Sequence, residues 1–163
     1  MSFNVKVYKN ASFKDNRGYY WTSWKRNTIK NIMFKHDKFS LSKKNVLRGL
    51  HGDYKTWKLV SCPYGKFLLV VVNCIKTSNS YLKWKSWILS HENGIQILIP
   101  PNFVNGHLCL SEECLFHYKL SYKGKYTVAK QQFSIKWNDP KLNINWHIKK
   151  PILSNRDKRS KLL

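Results

Sequence analysis

The sequence predicts an all-β chain, an antiparallel sandwich, barrel or jelly roll with a few short helices. Two observations carry that prediction. No long stretch places apolar residues three and four apart, as a helix face needs, and glycines and asparagines interrupt the chain at short intervals. In place of helices stand about nine or ten short β-branched and aromatic runs, separated by turns at roughly ten-residue spacing.

The runs can be taken in order. "FNVKVYK" (3–9) alternates, and "GYYWTSW" (18–24) does so loosely. "KLVSCPYGKFLLVVVNCIK" (58–76) reads as two strands joined at Pro63–Gly65, the second apolar enough to be buried on both faces. "YLKWKSWILS" (81–90) alternates Leu82 and Trp84 with Lys83 and Lys85, as a strand with one wet face does. "GIQILIPP" (94–101) follows a hairpin turn at Glu92-Asn93-Gly94 and is stopped by its prolines. "NFVNG" (102–106) is expected to turn sharply before "GHLCLS" (106–111), "CLFHYKLSY" (114–122) and "QFSIKW" (132–137) continue the series. Modest helices are expected at Asn27–Asn31 or after Asp139. With no repeat, linker or low-complexity block, residues 1–163 are read as one domain.

Composition narrows the function classes. Hydrophobic residues at 42% supply a core, so the chain is not disordered despite 30 Lys and Arg against 8 Asp and Glu, a net +22. That excess could attract nucleic acid, an anionic membrane surface or a phosphorylated metabolite. The lysines are spread along the whole length, however, and the one dense run is "NRDKRSKLL" (155–163). No apolar run approaches the roughly 18 residues that span a bilayer. The first residues lack the continuous apolar centre of a signal peptide, so a cytoplasmic chain without membrane contact is expected. Cys62, Cys74, Cys109 and Cys114 form no CxxC pair and are read as reduced strand residues.

The candidate chemistry centres on "VLRGLHGDYKTWKLV" (46–60), where His51 stands between Arg48 and Lys58. A packing residue, a metal ligand, a nucleic-acid contact and a catalytic base are all compatible with that placement. No HxH pair accompanies His51, and His107 and His117 fall on different strands, so no metal is expected. There is no GxSxG elbow and no glycine-rich phosphate loop. Acid–base chemistry among cations remains: His51 as base if a carboxylate holds its ring, Tyr118 as proton donor and Lys58 as oxyanion stabiliser. Arg48 and Arg17 could grip a diphosphate through forked hydrogen bonds.

These segments together resemble the dTDP-4-dehydrorhamnose 3,5-epimerases, metal-free cupins of the RmlC type. "FKDNRGYYW" (13–21), "VLRGLH" (46–51), "WKLV" (57–60), "ILIPPNFVNGHLCLSEECLFHYKLSY" (97–122), "IKWNDPKLNINW" (135–146) and "PILSNRD" (151–157) match family motifs in the family's order. The resemblance implies a cupin jelly roll that epimerises a nucleotide-diphospho-4-keto-6-deoxy sugar, dTDP- or GDP-linked, at C3 and C5 or at C3 alone, without a cofactor. It implies His51 as base, Asp157 as the aspartate orienting it with Asp139 as second choice, Tyr118 as acid and Lys58 as enolate stabiliser. Arg48 would approach the diphosphate, and Asn105 and His107 would line the substrate site. Arg17 and Tyr20 would reach the nucleotide in the neighbouring subunit of a homodimer that exchanges an N-terminal strand.

The chain departs from the family pattern in places. "NGH" (105–107) stands where the family has H-G-F, so Asn105 replaces a histidine, and Trp21-Thr22 stand where a glutamate is usual. The loop from His51 to Lys58 is shorter, and Tyr122 and Tyr126 compete for the place of a second tyrosine. The alternative reading is a non-catalytic basic β-roll that binds nucleic acid or another anionic partner, with the Trp–Lys interleaving of "YLKWKSW" as a stacking platform. The two readings differ on whether His51, Lys58 and Tyr118 converge in one cavity.

Overall fold

The strand that reads most plainly from sequence, Lys66–Asn73, is buried along its whole length after the first residue, and the surrounding structure is arranged to cover it on both faces. The computed structural model describes residues 3–26 and 28–163. Its strands are β1 (Lys6–Lys9), β2 (Ser12–Asp15), β3 (Gly18–Trp21), β4 (His36–Lys43), β5 (Leu47–Gly52) and β6 (Trp57–Tyr64). They continue with β7 (Lys66–Asn73), β8 (Trp84–Ser90), β9 (Ile95–Ile99), β10 (Phe103–Cys109), β11 (Glu113–Ser121) and β12 (Phe133–Ser134). One sheet runs β1-β9-β6-β11-β4 and the other β12-β5-β10-β7-β8, with β2-β3 a separate hairpin. The strand pairings within all three are antiparallel, the arrangement of a cupin-type jelly roll.

The strand period of two explains how β7 serves two cores. Phe67, Leu69 and Val71 point between the sheets, where they meet Val60, Ile97, Ile99, Phe103 and Phe116. Leu68, Val70 and Val72 point the other way and are covered by Ile135, Leu142 and Trp146 from the C-terminal segment. A third cluster, Ile29, Leu59 and Leu98, covers the outside of the first sheet.

Several local expectations are corrected. No helix forms over the described residues 28–31, which bend and turn, and Asn27 lies outside the described residues. The chain after Asp139 turns without becoming helical: Asn143 donates to the Asp139 carbonyl and then takes φ 46°, which ends the turn. Helical geometry appears instead at Ala129–Gln131, as a 3-10 turn, and in the short helix α1 (Asn155–Lys158). The sharp turn assigned to 102–106 occupies less chain than expected. Asn102 makes it with φ 65°, and Phe103 already begins β10. Strand β4 escaped the sequence reading because its alternation is inverted. His36, Lys38, Ser40 and Ser42 face inward while Phe39 and Leu41 face out.

β5 and β10 approach each other unusually closely at Gly49, whose φ is +131°. A Cβ there would lie 2.4 Å from the Gly106 Cα. Gly18 has the same φ with nothing within 4 Å of an added Cβ, so it separates backbone strain from collision. Gly49→Ala is expected to cost about 3 kcal/mol in urea unfolding and Gly18→Ala about 1 kcal/mol. Equal losses would mean that the β5–β10 approach is not rigid.

Candidate active site

A cavity of about 350 Å³ opens between the two sheets, and its wall collects residues from β4, β5, β6, β10, β11 and the C-terminal helix. His51, Arg48, Lys58, Asn105, His107, Tyr118 and Asp157 all line it. The strand period accounts for the convergence. Lys58 shares the inward face of β6 with Val60 and Cys62, and Tyr118 shares that of β11 with Phe116 and Leu120. Asn105 lies opposite His51 in the β5–β10 register, so their side chains leave the same face.

Asp157 reaches His51 through the helix α1. Ser154 caps that helix, accepting the Asp157 N–H at 3.1 Å while its hydroxyl donates to Asp157 Oδ2 at 2.7 Å. This leaves Asp157 Oδ1 facing the imidazole, 2.7 Å from His51 Nε2. Burial works against ionisation of Asp157. The contacts from His51 and Ser154, helped by the Gly49 N–H, outweigh it and hold the carboxyl below its ordinary value. Asp139, the alternative partner, is committed elsewhere: its carboxylate accepts the Lys141 and Leu163 N–H groups.

Lys58 is buried, and among the described residues no carboxylate lies within ion-pair distance of it. Its ammonium donates to Asn105 Oδ1 at 2.8 Å and to the His51 carbonyl at 3.3 Å. Burial lowers its pKa to about 8, with Asp53 opposing and Arg156 adding to the drop. Burial raises the Tyr118 hydroxyl to about 12, with Tyr126 adding to the rise, so the phenol keeps its proton at neutral pH. His107 is stacked on Phe116 with ring centroids 4.3 Å apart. Burial, with the charge of Arg48, lowers it to about 3 and keeps it neutral. Arg48 is held at the edge, donating through Nε to Ser42 Oγ at 3.0 Å and through Nη2 to the Leu41 carbonyl at 3.1 Å.

Arg17 and Tyr20 are not brought to this cavity. Both lie on the β2–β3 hairpin, where Asp15 pairs with the Arg17 guanidinium at 2.6 Å and Tyr20 stacks on Phe13. Of the two competing tyrosines, Tyr126 lines the cavity and Tyr122 does not. Sequence reasoning missed Lys38, Gln132 and Arg156, which also line it, as does Asp53, whose spacing from His51 and His107 does not by itself demand a site. Lys38 was hidden with its strand, but Arg156 sits beside Asp157 behind a readable Ser-x-x-Asp cap signal.

The arrangement offers a carboxylate-oriented imidazole, a proton-bearing phenol and a desolvated ammonium in one enclosure. That is equipment for moving a proton off carbon and stabilising the charge left behind. Ser154→Ala is expected to cost about 1 kcal/mol at neutral pH through the lost cap. A carboxyl whose folded value is depressed contributes stability above its unfolded value and loses it as pH falls through the folded one. The gap between wild type and Ser154→Ala should therefore narrow below about pH 4 in urea titrations. A constant gap would mean that the hydroxyl does not support the carboxylate.

Comparison with known proteins points one way. A family model described as dTDP-4-dehydrorhamnose 3,5-epimerase matches residues 3–163. The Salmonella typhimurium protein named dTDP-4-dehydrorhamnose 3,5-epimerase is 36% identical, over 98% of this chain and 91% of its own. The crystal structure of the Bacillus anthracis dTDP-4-dehydrorhamnose 3,5-epimerase, with TDP and PPi bound, superposes with a TM-score of 0.91 at 29% identity, covering 98% of this chain and 94% of that one. A Legionella pneumophila dTDP-6-deoxy-D-glucose-3,5-epimerase, in complex with dTDP-4-keto-L-rhamnose, gives 0.88 at 33% identity over 97% and 87% of the two chains.

Proposed function

The chain belongs to the dTDP-4-dehydrorhamnose 3,5-epimerase family, and on that premise we propose that it epimerises a dTDP-linked 4-keto-6-deoxy sugar at C3 and C5 by proton removal and return. The observation that carries the reading is the convergence of His51 with Asp157, Lys58 and Tyr118 in one cavity. A non-catalytic binding module has no need for a base, an acid and an oxyanion cation in the same enclosure. The relatives' named activity supports the same reading.

The chemistry follows from the substrate's C4 ketone, which acidifies the hydrogens on C3 and C5. His51 takes one of them from one face, and the C–H electron pair becomes the C=C bond of an enolate. The negative charge moves to O4, where the Lys58 ammonium stabilises it. Tyr118 then gives its phenolic proton to the same carbon from the opposite face, which inverts the centre. The resulting tyrosinate, derived from a phenol raised to about 12, is basic enough to recover a proton, while His51 releases its own. Asp157 keeps the imidazole in place throughout and stabilises its cationic form.

Arg48 lies at the edge of the cavity with donors left to meet a diphosphate, and Asn105 and His107 face the sugar. Arg17 and Tyr20 serve the neighbouring site in a homodimer that exchanges its N-terminal strand. Their position on a hairpin outside the cavity, with Phe13 and Tyr20 largely exposed, supports that arrangement. The enzyme acts as a single domain in the cytoplasm, in the synthesis of surface-polysaccharide sugars.

Solvent exchange tests the proposal. In D₂O, dTDP-4-keto-6-deoxyglucose should gain deuterium at both C3 and C5, with the GDP-linked analogue a poor substrate. His51→Asn should slow exchange by at least about 10²-fold. Absence of exchange in the wild type would defeat the reading, and exchange at C3 alone would restrict it to a 3-epimerase.

Lys58 gives a separate test. Its ammonium is the active form, so exchange should fall as pH rises through about 8. Lys58→Met should lose about 10²-fold in rate without loss of melting temperature, because it removes a buried charge. Unaltered exchange in Lys58→Met would exclude the ammonium from the reaction.

A further inference from the structure

The surroundings of Asn105, between Lys58 and the cavity, define what its side chain does. Lys58 has only donors to offer, so the atom of Asn105 that faces it at 2.8 Å must be the carbonyl oxygen. That fixes the flip of the amide. Its Nδ2 is then left for another partner: the side chain lines the cavity, and its one side-chain hydrogen bond among the described residues is the one that Oδ1 accepts from Lys58. The Lys58 ammonium spends two donors on Asn105 Oδ1 and the His51 carbonyl, leaving a third free. Among the described residues, the Asn105 amide and the Lys58 ammonium, joined through Oδ1, thus each keep an N–H donor for an occupant of the enclosure that holds the base.

The backbone beneath them is pinned. Asn105 pairs with His51 across the β5–β10 ladder, and the register shifts between Asn105 and His107. At that bulge Gly49 and Gly106 pack closely enough to exclude any Cβ at Gly49, and the Asn105 carbonyl closes the same gap. Bulges re-aim side chains, and this one begins at the residue that carries the amide.

We propose that the Asn105 amide is the second donor of a two-point oxyanion cradle, its Nδ2–H and the Lys58 ammonium together receiving O4 as the enolate forms. Oδ1 meanwhile aims Lys58 at the same point. Both donors are in place before charge develops, so the cradle needs no reorganisation during the reaction. The role deepens the epimerase reading and depends on it. Asparagine keeps one acceptor for the lysine and one donor for the substrate, and a histidine supplies the same pair through its two ring nitrogens.

Three variants separate the functions. Asn105→Asp keeps an acceptor for Lys58 and removes the donor, Asn105→His keeps both, and Asn105→Leu removes both. Deuterium exchange into dTDP-4-keto-6-deoxyglucose is the first readout. Asn105→Asp should lose about 10²-fold in kcat with KM within about threefold, and Asn105→His should stay within about tenfold of wild type. A wild-type kcat in Asn105→Asp, a loss confined to KM, or a histidine variant as poor as Asn105→Leu would each overturn the assignment.

The second readout needs no substrate. NMR titration of the Lys58 side chain should give a midpoint near 8 in the wild type and a higher one in Asn105→Asp, because a carboxylate favours the ammonium. Asp53, Arg156 and His51 surround Lys58 equally in every variant. An unmoved midpoint would remove the Lys58–Asn105 contact and the cradle with it. A shifted midpoint in a protein whose wild type exchanges no deuterium would locate the failure in the epimerase reading, and the enolate role would fall with it.

Discussion

Two-faced burial of β7 is the constraint on which the rest of the structure depends. A strand with apolar side chains on both faces cannot sit at a wet surface, so it needs a sheet in front and a cover behind. The first sheet supplies the front. The cover comes from the C-terminal segment, where Ile135, Leu142 and Trp146 pack on Leu68, Val70 and Val72. The same segment runs on to an isolated bridge between Ile152 and Val46, then to the Ser154 cap and Asp157. The carboxylate beside His51 therefore arrives as a consequence of core packing. The apolar wrap that completes the second core also delivers a charge to the cavity.

Inside the cavity the charges are unequal. Lys38, Arg48, Lys58 and Arg156 line it against Asp53 and Asp157. Asp53 spends Oδ1 on the Lys55 and Thr56 N–H groups and Asp157 is engaged by His51 and Ser154, so neither neutralises a lysine directly. Lys58 shows the cost, with its ammonium destabilised by burial and by Arg156. Buried cations without carboxylate partners are expensive, and a bound anion relieves the cost. A diphosphate at the edge and a developing enolate within would each do so. This local excess is not revealed by the +22 of the whole chain, whose lysines are spread along its length.

Reversal of polarity in β4 makes the enclosure possible. An ordinary sandwich strand turns its apolar residues inward, but here Lys38, Ser40 and Ser42 face the space between the sheets. Ser42 accepts from Arg48 and lies 3.4 Å from His107 Nε2, so the strand's polar face holds cavity-lining side chains in position. Phe39 and Leu41 are left largely exposed on the outside, with Phe39 stacked on His117. That apolar exterior is available to a second surface, in keeping with the proposed homodimer.

The sequence by itself determined the strand series, because a period of two and turn residues are local properties that survive without tertiary context. Ordered motifs pointed to the family, and with it to His51, Lys58, Tyr118 and Asp157. The choice of Asp157 over Asp139 beside His51, and the presence of Tyr126 but not Tyr122 in the cavity, belonged to tertiary structure. Each depends on where a wrapped segment comes to rest against a distant strand. β4 was illegible because its alternation is that of a site wall, and its lysines and serines look like solvent-facing residues when read alone. The pairing of Asn105 with Lys58 was likewise invisible in sequence. It requires β6 and β10, from opposite sheets, to point into one space, and that is fixed by how the two sheets pack.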